Sequence, residues 1–135
     1  MAGIHSFPAS QKLKSRKVIG QLFESGKHTK AYPIKVIYAV SEYDLKFHAA
    51  YVQMGISVPK RSFKSAVDRN RIKRQVREAY RMQHQALLST ARDCNIHLAM
   101  MMIYIDRKEP DFKYLEKKIQ KLLVQLKDVL QSQES

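Results

Sequence analysis

Hydrophobic positions along this 135-residue chain recur at two spacings, every three to four residues in some stretches and every two in others. The wider spacing predicts a short helix that is capped by Ser15 and ends at Gly26, and a last helix that is capped by Asp111. The apolar faces of these helices consist of Val18, Ile19, Leu22 and Phe23 in the first, and of Phe112, Leu115, Ile119, Leu122, Leu126 and Val129 in the last.

Three strands are predicted by runs that are rich in β-branched and aromatic residues, at residues 32–40, 46–58 and 96–105. Pro33 stands near the start of the first run, and Pro59 ends the second. The second run alternates in polarity, so one face carries Val52, Met54, Ile56 and Val58, and the other carries Tyr51, Gln53, Gly55 and Ser57.

A further helix is predicted from residue 66 to about residue 88, because Ile72, Val76 and Tyr80 recur at helical spacing. Ser65 or Asp68 can cap it. The predicted order of elements is therefore α-β-β-α-β-α. This order favours an α+β fold, with a mixed sheet and helices packed on it.

The net charge of +13 and the pI near 10.0 change this picture, because they predict attraction to a polyanion. The polyanion is either a nucleic acid or an anionic membrane surface. The length suits one domain over residues 1–135, and we expect frayed ends at residues 1–6 and 132–135.

The membrane alternative is weakened by the short apolar runs of the chain. The apolar run at residues 99–105 has seven residues, whereas about 20 are needed to span a bilayer. The N-terminal stretch lacks the apolar core of a secretory signal, and a single cysteine, Cys94, suits a reducing cytosol. We therefore expect a cytoplasmic protein with a nucleic-acid partner.

The predicted helix after residue 65 concentrates this charge. From Lys60 to Arg81 the chain carries nine Lys or Arg and only two acids. Helical spacing puts Arg69, Lys73 and Arg77 in one row, with a second row formed by Arg71, Arg74 and Arg81. The alternative is a simply solvated face, but such a face normally mixes signs, whereas like charges four residues apart repel each other. The pattern therefore favours a nucleic-acid surface.

Asn70 lies between two arginines of this helix. Arginine pairs with phosphate through two parallel hydrogen bonds and stacks on bases. The Asn70 amide suits either a base edge or ribose hydroxyl, or a local cap or turn, and its spacing leaves both readings open.

The run "AVDRNRIKRQVREAYR", residues 66–81, resembles the signature of the protein subunit of bacterial ribonuclease P, Ala-Val-x-Arg-Asn-Arg-x-Lys-Arg-x-x-Arg-Glu. The flanking runs "LKSRKVIGQLFESGK" and "GISVPKR" are similar to the family's first helix and to the strand that enters the motif. The preceding loop, "PKRSFKSAV", is one residue longer than usual and lacks the family's glycine.

The resemblance implies an αβββαβα-like two-layer sandwich in which the motif helix forms a left-handed β-α-β crossover. It also implies an accessory subunit of an endoribonuclease, in which a large RNA carries the catalytic centre and hydrolyses precursor tRNA to free the mature 5′ end. No catalytic residue is then expected on the protein. The residues expected to bind the catalytic RNA are Lys60, Arg61, Lys64, Arg69, Asn70, Arg71, Lys73, Arg74, Arg77 and Arg81.

A site for the 5′ leader of precursor tRNA is the second implication, and single-stranded RNA favours aromatic rings flanked by positive charge. The platform is either the face of the second strand that carries Phe47, Tyr51 and Gln53, or Tyr32 and Tyr38 of the first strand. Phe23 and Ile19 of the first helix lie alongside it. Phe23 matches a family position in the leader cleft, and Ile19 stands where an aromatic residue is usual. Core packing is the alternative for the tyrosines, and it is the favoured expectation for Phe47.

The histidines and acids are scattered in the sequence and form no pattern typical of a metal nuclease. We expect no metal site on the protein and Mg²⁺ held mainly by RNA phosphates. The protein alone is expected to be a monomer. A ribosomal-type or chaperone RNA-binding protein, with no part in cleavage, is the alternative function.

Overall fold

The computed structural model describes residues 8–133. Its elements are a 3₁₀ turn at Ala9–Gln11, helix α1 (Arg16–Ser25), strands β1 (Lys27–Ala31), β2 (Ile34–Glu42) and β3 (Val52–Ser57), helices α2 (Ala66–Arg81) and α3 (Gln85–Cys94), strand β4 (Ile96–Tyr104) and helix α4 (Phe112–Ser132). The predicted frayed ends lie mostly outside the described residues, and α4 continues to Ser132.

The four strands form one mixed sheet in the order β1-β2-β4-β3. The long central strands β2 and β4 are antiparallel, from Ile34 opposite Tyr104 to Glu42 opposite Ile96. Strand β1 pairs antiparallel with β2, and β3 pairs parallel with β4. The segment α2–α3 therefore connects two parallel neighbouring strands, which confirms the predicted α+β class and the β-α-β connection.

The main core lies between one face of the sheet and helices α2, α3 and α4. Its largest fully buried side chains include Tyr80, Tyr104, Leu98, Met100 and Ile119. Burying such side chains contributes about 1.5–3 kcal/mol each, and β4, which is buried along almost its whole length, supplies the centre.

The opposite face of the sheet is covered only in part. Leu22 of α1 and Leu13 pack there on Ile37 and Met101 in a smaller cluster. The Leu13 N–H donates to the Met54 carbonyl oxygen at 3.1 Å, so the N-terminal segment runs along the edge of β3. The rest of this face is open beside α1.

Three helix starts match their predicted caps. Ser15 Oγ accepts from the Val18 N–H, and Asp111 Oδ2 accepts from the Tyr114 N–H. Of the two candidates at α2, Ser65 is the cap. Such a cap stabilises a helix by about 1 kcal/mol.

Two elements differ from what the apolar pattern predicted. That pattern missed strand β1, because only Ala31 of its five residues is buried and the stretch shows no apolar alternation. The αβββ start that the family resemblance implies is confirmed, since three strands precede α2. The predicted long helix is two helices, α2 and α3. Between them the His84 ring bonds through Nδ1 to the Arg81 carbonyl oxygen at 2.8 Å and through Nε2 to Gln11 Oε1 at 3.2 Å.

The second predicted strand is shorter than expected, since β3 begins at Val52 and residues 46–51 form a loop. In this loop the N–H groups of Phe47 and His48 donate to the Asp44 carbonyl oxygen. The other two strands lie close to their predicted bounds, with β2 starting after the Tyr32-Pro33 turn.

Candidate nucleic-acid interface

Helix α2 presents a cationic side to solvent because its other side is held on the sheet. Ile72, Val76, Ala79 and Tyr80 are buried in the main core. On the opposite side Arg74 is exposed, and Lys73 and Arg77 are half-buried. Within residues 8–133 none of these three cations forms an ion pair with the protein's own carboxylates. Their charge is therefore available to an outside anion.

Arg69 is fixed by the loop that precedes the helix. Its Nη1 donates to the carbonyl oxygens of Phe63 at 2.7 Å and Lys64 at 2.9 Å. Phe63 is itself buried in the main core. Arg69 therefore ties the basic loop to the first turns of α2, although it was predicted only as an RNA contact.

Two arginines of the predicted surface have acidic partners. Arg71 lies 3.4 Å from Asp68 and 2.5 Å from Glu109, and Arg81 lies 2.5 Å from Glu78. The Arg81 hydrogen bonds lower the pKa of Glu78. The side chains of these pairs are partly exposed, and exposed pairs contribute only about 0–1 kcal/mol, so a phosphate can replace the carboxylate.

The remaining predicted RNA contacts surround the start of α2. Lys60, Arg61 and Lys64 are exposed in the loop, which turns through hydrogen bonds from the Ser62 and Phe63 N–H groups to the Pro59 carbonyl oxygen. Asn70 is exposed and does not cap the helix, a role that Ser65 takes. Loop and helix thus form one basic region.

A cleft of about 680 Å³ opens on the other face of the sheet. One wall is the N-terminal segment with the start of α1, and another is the loop between β2 and β3. Between them lie the C-terminal part of β2 and the N-terminal parts of β3 and β4. Lys12 and Lys14 line one wall. The Gln53 amide donates to the Ser10 carbonyl oxygen at 3.1 Å and thereby joins the floor to that wall.

The structure does not bring the five predicted leader residues together. Ile19 is half-buried against the smaller cluster, and Phe23 is 52% exposed on α1. The residues with which α1 lines the cleft are instead Val18 and Gln21. Tyr38 is only 7% exposed and lies in the main core, on the opposite face. It is therefore not part of an open platform.

The two other predicted tyrosines lie apart from α1. Tyr32 is exposed in the turn between β1 and β2, and its hydrogen bond to the Asp106 carboxylate raises the pKa of Tyr32. Tyr51 stacks on Tyr43 with ring centroids 3.9 Å apart, and it packs against the main core.

Phe47 supplies an aromatic ring to the cleft. It was expected in the core, but it is 80% exposed and lines the cleft, because the loop between β2 and β3 turns it outward. Beside it the rings of His48 and His97 stack with centroids 3.8 Å apart. Phe47 was a less favoured member of the predicted platform on the second strand. The histidine pair was not predicted, since nothing in its spacing signals that the loop folds back on β4.

His97 is neutral at pH 7. Burial first, and the neighbouring His48 second, lower the pKa of His97 to about 4. Its Nε2 lies 3.0 Å from Gln53 Oε1, a contact in which the neutral ring donates. A neutral, flat and hydrogen-bonding surface in a cleft that also contains lysines is suited to an unpaired nucleobase.

Among residues 8–133, no three His, Cys, Asp or Glu side chains come together in a group that could hold a metal ion. In the same part of the chain, no helix has the length and apolar character needed to cross a bilayer.

The fold and these two surfaces define a small α+β protein of the class that binds nucleic-acid backbones. A sequence model of the family described as Ribonuclease P matches residues 7–127. The chain belongs to the ribonuclease P protein family.

Named relatives agree with this family. A "Ribonuclease P protein component" of Porphyromonas gingivalis is 35% identical over 117 residues, which cover 87% of this chain and 83% of the relative. A protein of the same description from Chlorobium phaeobacteroides is 33% identical over 132 residues, covering 91% of this chain and 90% of the relative.

Solved structures share the fold. The ribonuclease P protein of Staphylococcus aureus superposes with a TM-score of 0.63 at 18% identity, covering 84% of this chain and 93% of the other. That of Thermotoga maritima gives 0.63 at 21% identity, covering 84% and 96%. The predicted α+β sandwich is confirmed.

Proposed function

We propose that this chain is the protein subunit of a ribonuclease P holoenzyme, in which it binds the catalytic RNA and the 5′ leader of precursor tRNA. The observation that carries the proposal is the solvent side of α2, where Lys73, Arg74 and Arg77 have no carboxylate partner within residues 8–133. These residues belong to the run that resembles the family signature, and the family itself is shown by sequence.

The catalytic RNA binds the α2 side in this proposal. Each Lys or Arg that neutralises a phosphate releases a condensed counterion, so binding is strong at low salt and weakens as salt rises. The exposed loop cations Lys60, Arg61 and Lys64 extend the same region. Arg69 supports the RNA contact by holding this loop against the helix.

The 5′ leader binds the cleft on the opposite face. Phe47 offers a ring for base stacking, Lys12 and Lys14 offer charge to the backbone, and the neutral His97 with Gln53 offers hydrogen bonds. Binding the leader there favours precursor over mature tRNA, because only the precursor carries this segment.

The chemistry of phosphodiester hydrolysis belongs to the RNA subunit in this proposal. Mg²⁺ keeps several waters and prefers phosphate oxygens, so RNA phosphates suit it as ligands. The protein lowers the Mg²⁺ requirement because its cations reduce the self-repulsion of the RNA. We place the monomeric protein and its assembly in the cytoplasm.

Reconstitution at low magnesium tests the proposal. Purified protein, the catalytic RNA of the same source and a precursor tRNA are combined, and each is omitted in turn. We expect release of the 5′ leader only when protein and catalytic RNA are both present. Binding of RNA without any stimulation of cleavage would instead support a ribosomal-type or chaperone protein, and cleavage without added RNA would support a protein nuclease.

A further inference from the structure

Helix α4 carries a second cationic row that the proposed function does not use. Lys113, Lys117 and Lys121 are spaced by four residues and are all exposed. Four residues advance a helix by about 6 Å, so the row is about 12 Å long and follows one side of the helix. Like charges at this spacing repel each other.

The row also lies at the end of the helix where cations are least favourable. It occupies the first half of α4, where the helix dipole is positive, and the first turn contains no acid and the last turn no base. Asp128, which the dipole would favour at the start, lies near the end. Helix α2 also carries cations in its first half, Arg69, Arg71 and Lys73, although Asp68 lies in its first turn and Arg81 in its last.

Three acids that precede α4 have other partners. Glu109 pairs with Arg71, Asp106 accepts from the Arg107 N–H at 2.7 Å, and Asp111 caps the helix. Within residues 8–133 the three lysines of the row form no ion pair. Their charge is therefore as available as that of α2.

The two cationic helices are linked near their first halves. The hydrogen bond from Arg71 to Glu109 joins the first half of α2 to the segment that leads into α4. Beside the row, Tyr114 is 47% exposed, and the Lys118 Nζ lies 5.2 Å from the centre of its ring. An exposed ring next to cations is a feature that RNA-binding surfaces use for stacking.

We propose that the RNA-binding surface continues from α2 onto α4, where Lys113, Lys117 and Lys121 contact a second stretch of phosphates of the catalytic RNA. This proposal rests on the proposed function. A row about 12 Å long has room for about three successive phosphates of one strand.

The test compares two triple variants that lose the same charge. One is Lys113→Gln/Lys117→Gln/Lys121→Gln. The control, Lys27→Gln/Arg92→Gln/Lys127→Gln, changes cations outside both proposed RNA surfaces. Glutamine keeps helix propensity close to that of lysine, and circular dichroism melting checks that both variants fold. Affinity for the catalytic RNA is measured over a range of salt concentrations.

The row variant is expected to lower the slope of log affinity against log salt by about 2–3, and to weaken binding about 10- to 100-fold near 0.1 M salt. The control is expected to change the slope by less than 1. Lys117→Gln alone is expected to lower the slope by about 1, and it keeps the test valid if the triple variant unfolds.

Equal slopes for the row variant and the control would overturn the extension onto α4 and leave the proposed function intact. Failure of the wild-type protein to bind the catalytic RNA would overturn both. If the row variant kept RNA binding but lost binding to phosphatidylglycerol vesicles, the row would face a membrane, and the proposal would again be overturned.

Discussion

Arg71 Nη1 lies 2.5 Å from Glu109 Oε1, although 38 residues separate the two positions in the chain. The bond places an acid inside the basic surface that α2 and α4 share. It neutralises one arginine of the predicted RNA-binding set, and both side chains are about half exposed. The acid is thus positioned to compete with a phosphate for Arg71.

Glu109→Gln is therefore expected to strengthen binding of the catalytic RNA. Arg71 then keeps only Asp68, 3.4 Å away, as an acidic partner. It therefore neutralises one more phosphate, and the slope of log affinity against log salt rises by about 1. Stability changes by less than about 1 kcal/mol, since the pair is exposed. The control Asp128→Asn removes an acid at the other end of α4, and an equal gain in that variant would contradict a specific role for Glu109.

Arg69 and Arg74 are expected to respond differently to substitution. Arg69→Ala removes two hydrogen bonds to loop carbonyl oxygens, which lowers the free energy of unfolding by about 1–3 kcal/mol. Arg74→Ala leaves stability within about 0.5 kcal/mol, because the side chain is exposed and unpaired within residues 8–133.

Both variants should weaken binding of the catalytic RNA. Urea unfolding and salt-dependent binding, measured on the same samples, separate the two effects. A stable Arg69→Ala protein would show that the loop does not depend on this side chain.

Phe47→Ala is expected to reduce the preference for precursor over mature tRNA without affecting the fold. Stacking on an aromatic ring contributes about 1–3 kcal/mol per base, and an 80% exposed ring adds little to stability. Affinities for precursor and mature tRNA are measured with the reconstituted holoenzyme.

The matched control is Tyr38→Ala, which empties a buried position and should cost about 3 kcal/mol of stability. After correction for folded fraction, it should leave the precursor preference unchanged. A larger loss of preference in Tyr38→Ala than in Phe47→Ala would place the leader elsewhere.

The pKa of His97, lowered to about 4, predicts an acid-sensitive fold. The unfolded chain takes up the His97 proton near pH 6.5 and the folded chain only near pH 4, so stability falls as the pH decreases through this window. We expect His97 to lower the free energy of unfolding by about 2 kcal/mol over this window. Urea unfolding at pH 7 and pH 4.5 measures it. His97→Gln should show a smaller loss than wild type, and an equal loss would assign the effect to other groups.

The apolar pattern predicted the helices and central strands well because burial and periodicity agree there. Leu115, Ile119 and Leu122 of α4 are all fully buried, as their spacing requires. Strand β1 has no such pattern, because it pairs only with β2 and buries only Ala31. At the break between α2 and α3, His84 bonds to Gln11, which lies 73 residues away, and no local pattern contains this contact.

The basic surface could be predicted from the charges of one helix, whereas the cleft could not. Lys73, Arg74 and Arg77 lie within five residues, and helical geometry fixes their common side. Phe47, Gln53 and His97 come from a loop and two strands, and only the folded chain brings them together. Tyr38 shows the same limit, since alternation alone does not tell which face of β2 the helices cover.

The sheet is a single layer, and the two proposed RNA sites lie on its opposite sides. Helix α2 packs on one face, while His97, Gln53 and Ala99 line the cleft on the other. In the proposed function, the sheet therefore separates the two RNA ligands. Occupation of one side leaves the other sterically open, so the leader and the catalytic RNA can bind in either order. The two RNA ligands then influence each other only electrostatically, through the cationic protein that lies between them.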